Sequence, residues 1–165
     1  MGSITFRRIQ PDDTAFLREV YASTRVDELA VTGWRAAEVD AFLRMQFDAQ
    51  HQHYLTTYPD ASLQVILQDG HPIGRLYVAR WEHEIRLIDI TVLPAYRGGG
   101  IGTAILTELL AEAQRAGKAV RIHVEPTNPA LRLYTRLGFR LIADRGVYWF
   151  LEWSPASSHQ LNTAS

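Results

Sequence analysis

Residues Arg97 to Thr103 read Arg-Gly-Gly-Gly-Ile-Gly-Thr, four glycines in seven residues. They stand where a strand pattern gives way to a helix pattern. A helix leaves its first N–H groups without intrahelical partners, and its dipole makes that end positive. Glycine lets an anion come close, because no Cβ stands in the way. The cluster therefore suits a phosphate or pyrophosphate; a plain strand-to-helix turn is the alternative. Two phosphate signatures do not fit. A P-loop needs a Gly-Lys-Ser/Thr ending, and this stretch has no lysine. A dinucleotide fingerprint built on Gly98 and Gly100 would need glycine at Thr103 and an acidic residue about 20 positions on. What is present is Arg-x-x-Gly-x-Gly, carried by Arg97, Gly100 and Gly102.

The elements on either side must position this loop. Ile88, Ile90 and Val92 alternate with Leu87, Asp89 and Thr91, the pattern of a mostly buried strand, and Pro94 ends it. Ile101, Ile105, Leu109 and Ala113 fall on one helical face with Leu106 and Leu110 beside them, and Gly117 stops the helix.

Composition narrows the class. The 165 residues suffice for one domain with a real core. A net charge of −1 gives no broad electrostatic footprint for nucleic acid. There is no cysteine, which excludes disulfides, thiolate metal sites and a cysteine nucleophile, and is compatible with a reducing compartment. The start, MGSITFRRIQ, lacks the apolar centre of a signal peptide, and no apolar run approaches the roughly 18 residues of a membrane span. A cytoplasmic protein, without membrane association, is expected.

Taken in order, Ile4 and Phe6 mark a first strand, and Pro11-Asp12-Asp13 opens a helix with Phe16, Leu17, Val20 and Tyr21 on its apolar face. Residues 23–35 read as a loop. A second helix is expected from Ala36 to Tyr54, with Val39, Phe42, Leu43, Phe47 and Tyr54 on one side. Leu63 to Gln68 and Ile73 to Trp81 form a hairpin around Asp69-Gly70, leading into the strand above. After the glycine cluster and its helix come a strand from Ala119 to Glu125, a short helix opened by Asn128-Pro129, and a hairpin of Phe139–Asp144 with Val147–Trp153. One domain over 1–154 is expected, followed by a polar, disordered tail over 155–165.

The run Ile90-Thr91-Val92-Leu93-Pro94-Ala95-Tyr96-Arg97 with the following Arg-x-x-Gly-x-Gly resembles the acyl-CoA-binding motif of the GNAT superfamily of N-acetyltransferases. NPALRLYTRLGF, residues 128–139, resembles that family's second diagnostic stretch. The element order β-α-α-β-β-β-α-β-α-β-β is also that of the GNAT fold, an α/β (α+β) class with a central mixed, mostly antiparallel sheet and helices on both faces. The motif resemblance covers residues 86–139; the first 80 residues agree in element order alone.

The resemblance implies acetyl-CoA as co-substrate and an amine as acceptor. The backbone of Gly98, Gly99, Gly100, Ile101, Gly102 and Thr103 would hold the pyrophosphate, and Arg97 would add charge. The pantetheine arm would lie along Ile90, Thr91 and Val92, and the N–H of Val92 would meet the thioester carbonyl as a fixed donor. Asn128 matches a position that often contacts CoA, and is a capping residue in either case. Tyr134 matches the usual proton donor to the departing thiolate, with core packing as its alternative.

The base is less determined. A lysine-like amine has a pKa of about 10.4, so a group or a water chain must take its proton. Asp89, among aliphatics in the central strand, is the first candidate; the alternative is a buried carboxylate held by an arginine such as Arg121. Glu125, at the end of the next strand, is the second, with a solvated strand end as its alternative. His123 shares a strand face with Glu125 and reads as structural. A metal site is not expected: His51 and His53 do not face each other on a helix, and His71, His83 and His159 are isolated. The acceptor is not legible, nor is the choice between monomer and homodimer. An acyl-CoA-binding sensor without turnover and an enzyme for another phosphate-containing ligand remain as rival readings.

Overall fold

The computed structural model describes residues 2–156. Seven strands hydrogen-bond in the order β1-β2-β3-β4-β5-β7-β6: β1 Ile4–Arg8, β2 Ser62–Gln68, β3 His71–Arg80, β4 Glu84–Val92, β5 Ala119–Val124, β6 Arg140–Arg145 and β7 Tyr148–Trp153. The helices are α1 Thr14–Ser23, α2 Val26–Ala30, α3 Ala36–Thr57, α4 Ile101–Ala116 and α5 Leu131–Arg136. The mixed, mostly antiparallel α/β architecture is the expected one. It differs by α2, a short helix inside the stretch read as a loop. Five residues are too few for an apolar period to show, and the left-handed Gly33 (φ 73°) that follows gives the turn its irregular signature.

The chain forms two compact units. The first takes the residues up to Tyr77 and Ile90–Ile101. Here β1 pairs antiparallel with β2, from Ile4 opposite Gln68 to Arg8 opposite Gln64. Leu17, Tyr21 and Phe47 form a core between α1 and α3, with Ile9, Phe16 and Leu43 packed on it. Pro11–Asp13 is a single 3-10 turn, not a turn of α1. Asp13 fixes it: the Arg7 guanidinium donates to both carboxylate oxygens at 2.8 Å, and the Gln10 N–H donates at 2.6 Å. Of the apolar face expected on the second helix only Phe47 is buried.

The second unit takes Val78–Asp89 and the residues from Gly102 onward. β4 runs parallel to β5 through three residue pairs, Glu84–Ala119, Ile85–Val120 and Arg86–Arg121, and both strands continue past that pairing. β7 lies antiparallel to β5 and to β6, with a bulge between Leu141 and Ala143. On β5, Val120, Ile122 and Val124 are buried while Arg121 and His123 are half-buried, the period of a strand with one face in the core. Along α4, Ile105, Leu106, Leu109, Leu110 and Ala113 are all buried, as their spacing requires. The tail expected from residue 155 begins in order: the Gln114 side chain exchanges two 2.8 Å hydrogen bonds with the Ala156 backbone. The rest of that tail, 157–165, lies outside the described residues.

Candidate active site

β4 ends at Val92, and Pro94–Tyr96 turns the chain through one 3-10 turn into the glycine loop. Gly98 (φ 85°) and Gly100 (φ 84°) adopt the left-handed backbone that a side chain resists. A Cβ at Gly98, Gly99 or Gly100 would meet nothing within 4 Å, so backbone conformation, not crowding inside the chain, calls for glycine at the first and third. Gly102 is different: its missing side chain faces Leu133 of α5 at ordinary contact distance. The loop delivers the chain into α4 at Ile101, and the N–H groups of Ile101, Gly102 and Thr103 belong to the first turn, where no intrahelical carbonyl is available.

Arg97 is exposed, and its Nε donates to the Val92 carbonyl at 2.7 Å. It ties the start of the loop back to the end of β4, a local role that the expectation of added charge did not contain. A cleft of about 350 Å³ opens at the loop, lined by Gln68, Ala95, Tyr96, Arg97, Gly99 and Ile101. A wider one of about 730 Å³ adjoins Leu93–Tyr96 and is lined also by Phe16, Glu19, Val26, His71 and Pro72.

In the second unit, Tyr134 is 2 % exposed, on α5, with its ring edge-on to Phe139 at 5.4 Å. Burial pushes its hydroxyl well above the ordinary phenol value, and the negative charge of Asp89 adds to this. Asp89 and Tyr134 are thus within electrostatic reach of each other. Asp89 itself is half-buried, not enclosed among aliphatics as its strand neighbours suggested. Arg121, the arginine named as its alternative partner, is engaged elsewhere. It donates to Glu84 at 2.6 Å and to Glu152 at 2.8 Å, because the β-register sets Arg121 opposite Glu152 and beside β4.

Glu125 follows the last residue of β5 and is half-buried; its carbonyl accepts the Asn128 N–H at 2.9 Å. Asn128 does not cap α5 directly. Its side-chain oxygen accepts the Ala130 N–H at 2.8 Å, so it caps the turn before the helix, which starts at Leu131. His123 stacks on Phe150 at 4.4 Å and accepts from Arg145 at 2.9 Å; burial, then Arg86 and Arg145, hold its pKa below the ordinary value. A ring held neutral between cations fits the structural role expected of it.

One residue escaped the sequence reading. Arg136, in the last turn of α5, points its guanidinium to the Thr103 hydroxyl at 3.5 Å, which brings a cation to the first turn of α4. Nothing in the spacing of 103 and 136 announces that meeting; it follows from the packing of α5 on α4, where Leu133 covers Gly102. Among the described residues no group of three or more His, Asp and Glu side chains is placed to hold a metal ion. No helix among the described residues is long and apolar enough to cross a membrane.

Known proteins are similar to this chain in sequence or in fold. An L-methionine sulfoximine/L-methionine sulfone acetyltransferase of Salmonella typhimurium is 29% identical over 153 residues, 86% of this chain and 82% of that protein. The crystal structure of the PaiA N-acetyltransferase from Thermoplasma acidophilum in complex with coenzyme A superposes with a TM-score of 0.68 at 18% identity, covering 92% of this chain and 99% of that one. The structure of yncA, a putative acetyltransferase from Salmonella typhimurium with its cofactor acetyl-CoA, gives a TM-score of 0.55 at 22% identity, covering 94% and 95%. The sequence profile of the Acetyltransferase (GNAT) family matches residues 24–139, a span that takes in β4, the glycine loop, α4 and Tyr134. The chain belongs to the GNAT acetyltransferase family.

Proposed function

We propose that the protein is an N-acetyltransferase that moves the acetyl group of acetyl-CoA directly onto the primary amine of a small molecule. The observation that carries this reading is the pair formed by a buried, protonated Tyr134 and the half-buried Asp89 whose charge it feels. A phenol that keeps its proton at neutral pH is a donor for a departing thiolate, and a carboxylate nearby is an acceptor for an amine proton. Acetyl-CoA supplies the activated acyl group when bound; the chain binds, orients and moves protons.

The backbone of Gly98 to Thr103 takes the pyrophosphate at the start of α4, and Arg136 adds a cation there. Ile90, Thr91 and Val92 carry the pantetheine arm, with the Val92 N–H as donor to the thioester carbonyl. Asn128 is a further contact to the cofactor. Tyr134 Oη gives its proton to the thiolate. Asp89, directly or through water, takes the proton from the amine, and Glu125 is the second candidate for that step. A small amino compound is favoured over a peptide because the relative from Salmonella typhimurium is named for small amino-acid analogues. We take the cytoplasm as its place of action, which the absence of cysteine suits.

Titration with acetyl-CoA, ATP and NAD tests the cofactor assignment. Acetyl-CoA should bind more tightly than the other two, because it alone adds the pantetheine arm to the pyrophosphate. Preferential binding of ATP or NAD would replace this reading with that of an enzyme for another phosphate ligand. An acceptor screen that follows free CoA release then separates an enzyme from an acyl-CoA-binding sensor.

A further inference from the structure

Gly74 sits inside β3, buried, with a backbone outside the left-handed region, so its conformation alone would accept any residue. Space is what forbids one. A Cβ at Gly74 would overlap the carbonyl oxygen of Thr91 and stand 3.0 Å from Val92 Cα and 3.1 Å from the Thr91 carbonyl carbon. All three obstacles are backbone atoms of β4, which no rotamer change can move aside. Next to this contact, the Leu93 N–H donates to the Ile73 carbonyl at 2.8 Å and locks the same two strands together. The glycines of the 98–100 loop have open space around them; Gly74 is glycine because two backbones meet there.

We infer that Gly74 is a positioning residue for the acyl-CoA arm: by having no side chain, it lets β3 fix the Thr91–Val92 backbone at the place where the thioester carbonyl is to be met. The inference rests on the proposed assignment of Ile90–Val92 to the pantetheine arm. Positioning of a reacting group is sensitive to small displacements, and any side chain at residue 74 must push β4 away or bend it. The loop proposed to take the pyrophosphate lies further along the chain, and the atoms nearest a Cβ at Gly74 belong to Thr91 and Val92, so the two ends of the cofactor should respond differently.

The test compares two probes, acetyl-CoA and ADP, the second carrying the pyrophosphate without the arm. Affinities are measured by calorimetry and folding by Tm. Gly74→Ala should raise the Kd for acetyl-CoA about 10- to 100-fold and leave that for ADP unchanged. Gly70→Ala is the control. It strains the turn of the same hairpin (φ 81°) in open space, and should lower Tm with both affinities intact. If Gly74→Ala does not fold, Leu93→Pro decides. The Leu93 backbone (φ −56°, ψ 144°) suits proline, but the change removes the hydrogen bond to Ile73 and sets the ring Cδ against that carbonyl, so β3 and β4 must part there and acetyl-CoA should again weaken more than ADP.

A folded Gly74→Ala protein with unchanged acetyl-CoA affinity would overturn the inference, as would equal weakening of both probes. Amide NMR of the wild type separates this from failure of the underlying assignment. Acetyl-CoA, and not ADP, should shift the Thr91 and Val92 amides. If it does not, the arm lies elsewhere and both ideas fall; if it does and Gly74→Ala binds normally, only the role of Gly74 falls.

Discussion

Burial keeps the proton on Tyr134, and this sets what the residue can do. In water a phenol at about 10 gives its proton to a thiolate at about 8.5 with a penalty of roughly 2 kcal/mol. An apolar site raises both acids, since it disfavours both anions, so the penalty need not grow when the thiolate forms beside the buried ring. Tyr134→Phe keeps the ring against Phe139 and removes only the hydroxyl. With chemistry rate-limiting and the acceptor saturating, kcat should fall by about 10² to 10⁴, with little change in acetyl-CoA affinity. An unchanged kcat would make Tyr134 a packing residue. Asp89→Asn should show a loss in kcat/KM that shrinks as pH rises toward the pKa of the acceptor amine, because the amine then arrives neutral. A loss of the same size at every pH, together with a lowered Tm, would assign Asp89 to structure, and the same profile on Glu125→Gln would identify the alternative base.

The elements place these residues through a few local devices, each of which can be removed. Gly100 at φ 84° is the bend that aims the chain into α4. Gly100→Val should leave a folded protein and weaken acetyl-CoA binding at least about tenfold, since a β-branched residue resists the left-handed region; calorimetry on the folded variant gives the answer. Asp13 is a second device in the same unit. The Arg7 guanidinium holds its carboxyl below the ordinary range. A depressed folded value means the stabilisation is present above about pH 4, the unfolded value, and is lost as pH falls through the folded one. Asp13→Ala should cost about 1–3 kcal/mol near neutral pH in urea unfolding and flatten the acid limb of the stability curve. An acid limb identical to that of the wild type would remove Asp13 from the account. The strands, α4 and the glycine loop were legible because each writes its period or its breaker into contiguous residues. The short α2 was not, for lack of length. α3 was legible as a helix, but not the depth of its apolar side: Val39, Phe42 and Leu43 are only half-buried among the described residues.

At the scale of the whole molecule, the family was legible where chemistry constrains local sequence, and little beyond that. The glycine loop and the stretch around Tyr134 each carry their own signature. Pairings between distant segments do not. Arg136 at Thr103, Arg121 between Glu84 and Glu152, and Gly74 against Thr91 join residues whose spacing says nothing in advance. They are decided by register and by helix packing, which a single sequence does not print. The same reason hides the acceptor: no motif marks the residues that would choose it. The central claim is direct transfer from acetyl-CoA to an amine, and it is tested most directly by following free CoA, acetylated amine and the intact mass of the protein in one reaction. The account predicts that free CoA and acetylated amine appear together, one for one, only when an acceptor is present, and that the protein itself never gains an acetyl group. Free CoA released at the same rate without an acceptor, or an acetylated protein formed before the product, would contradict it.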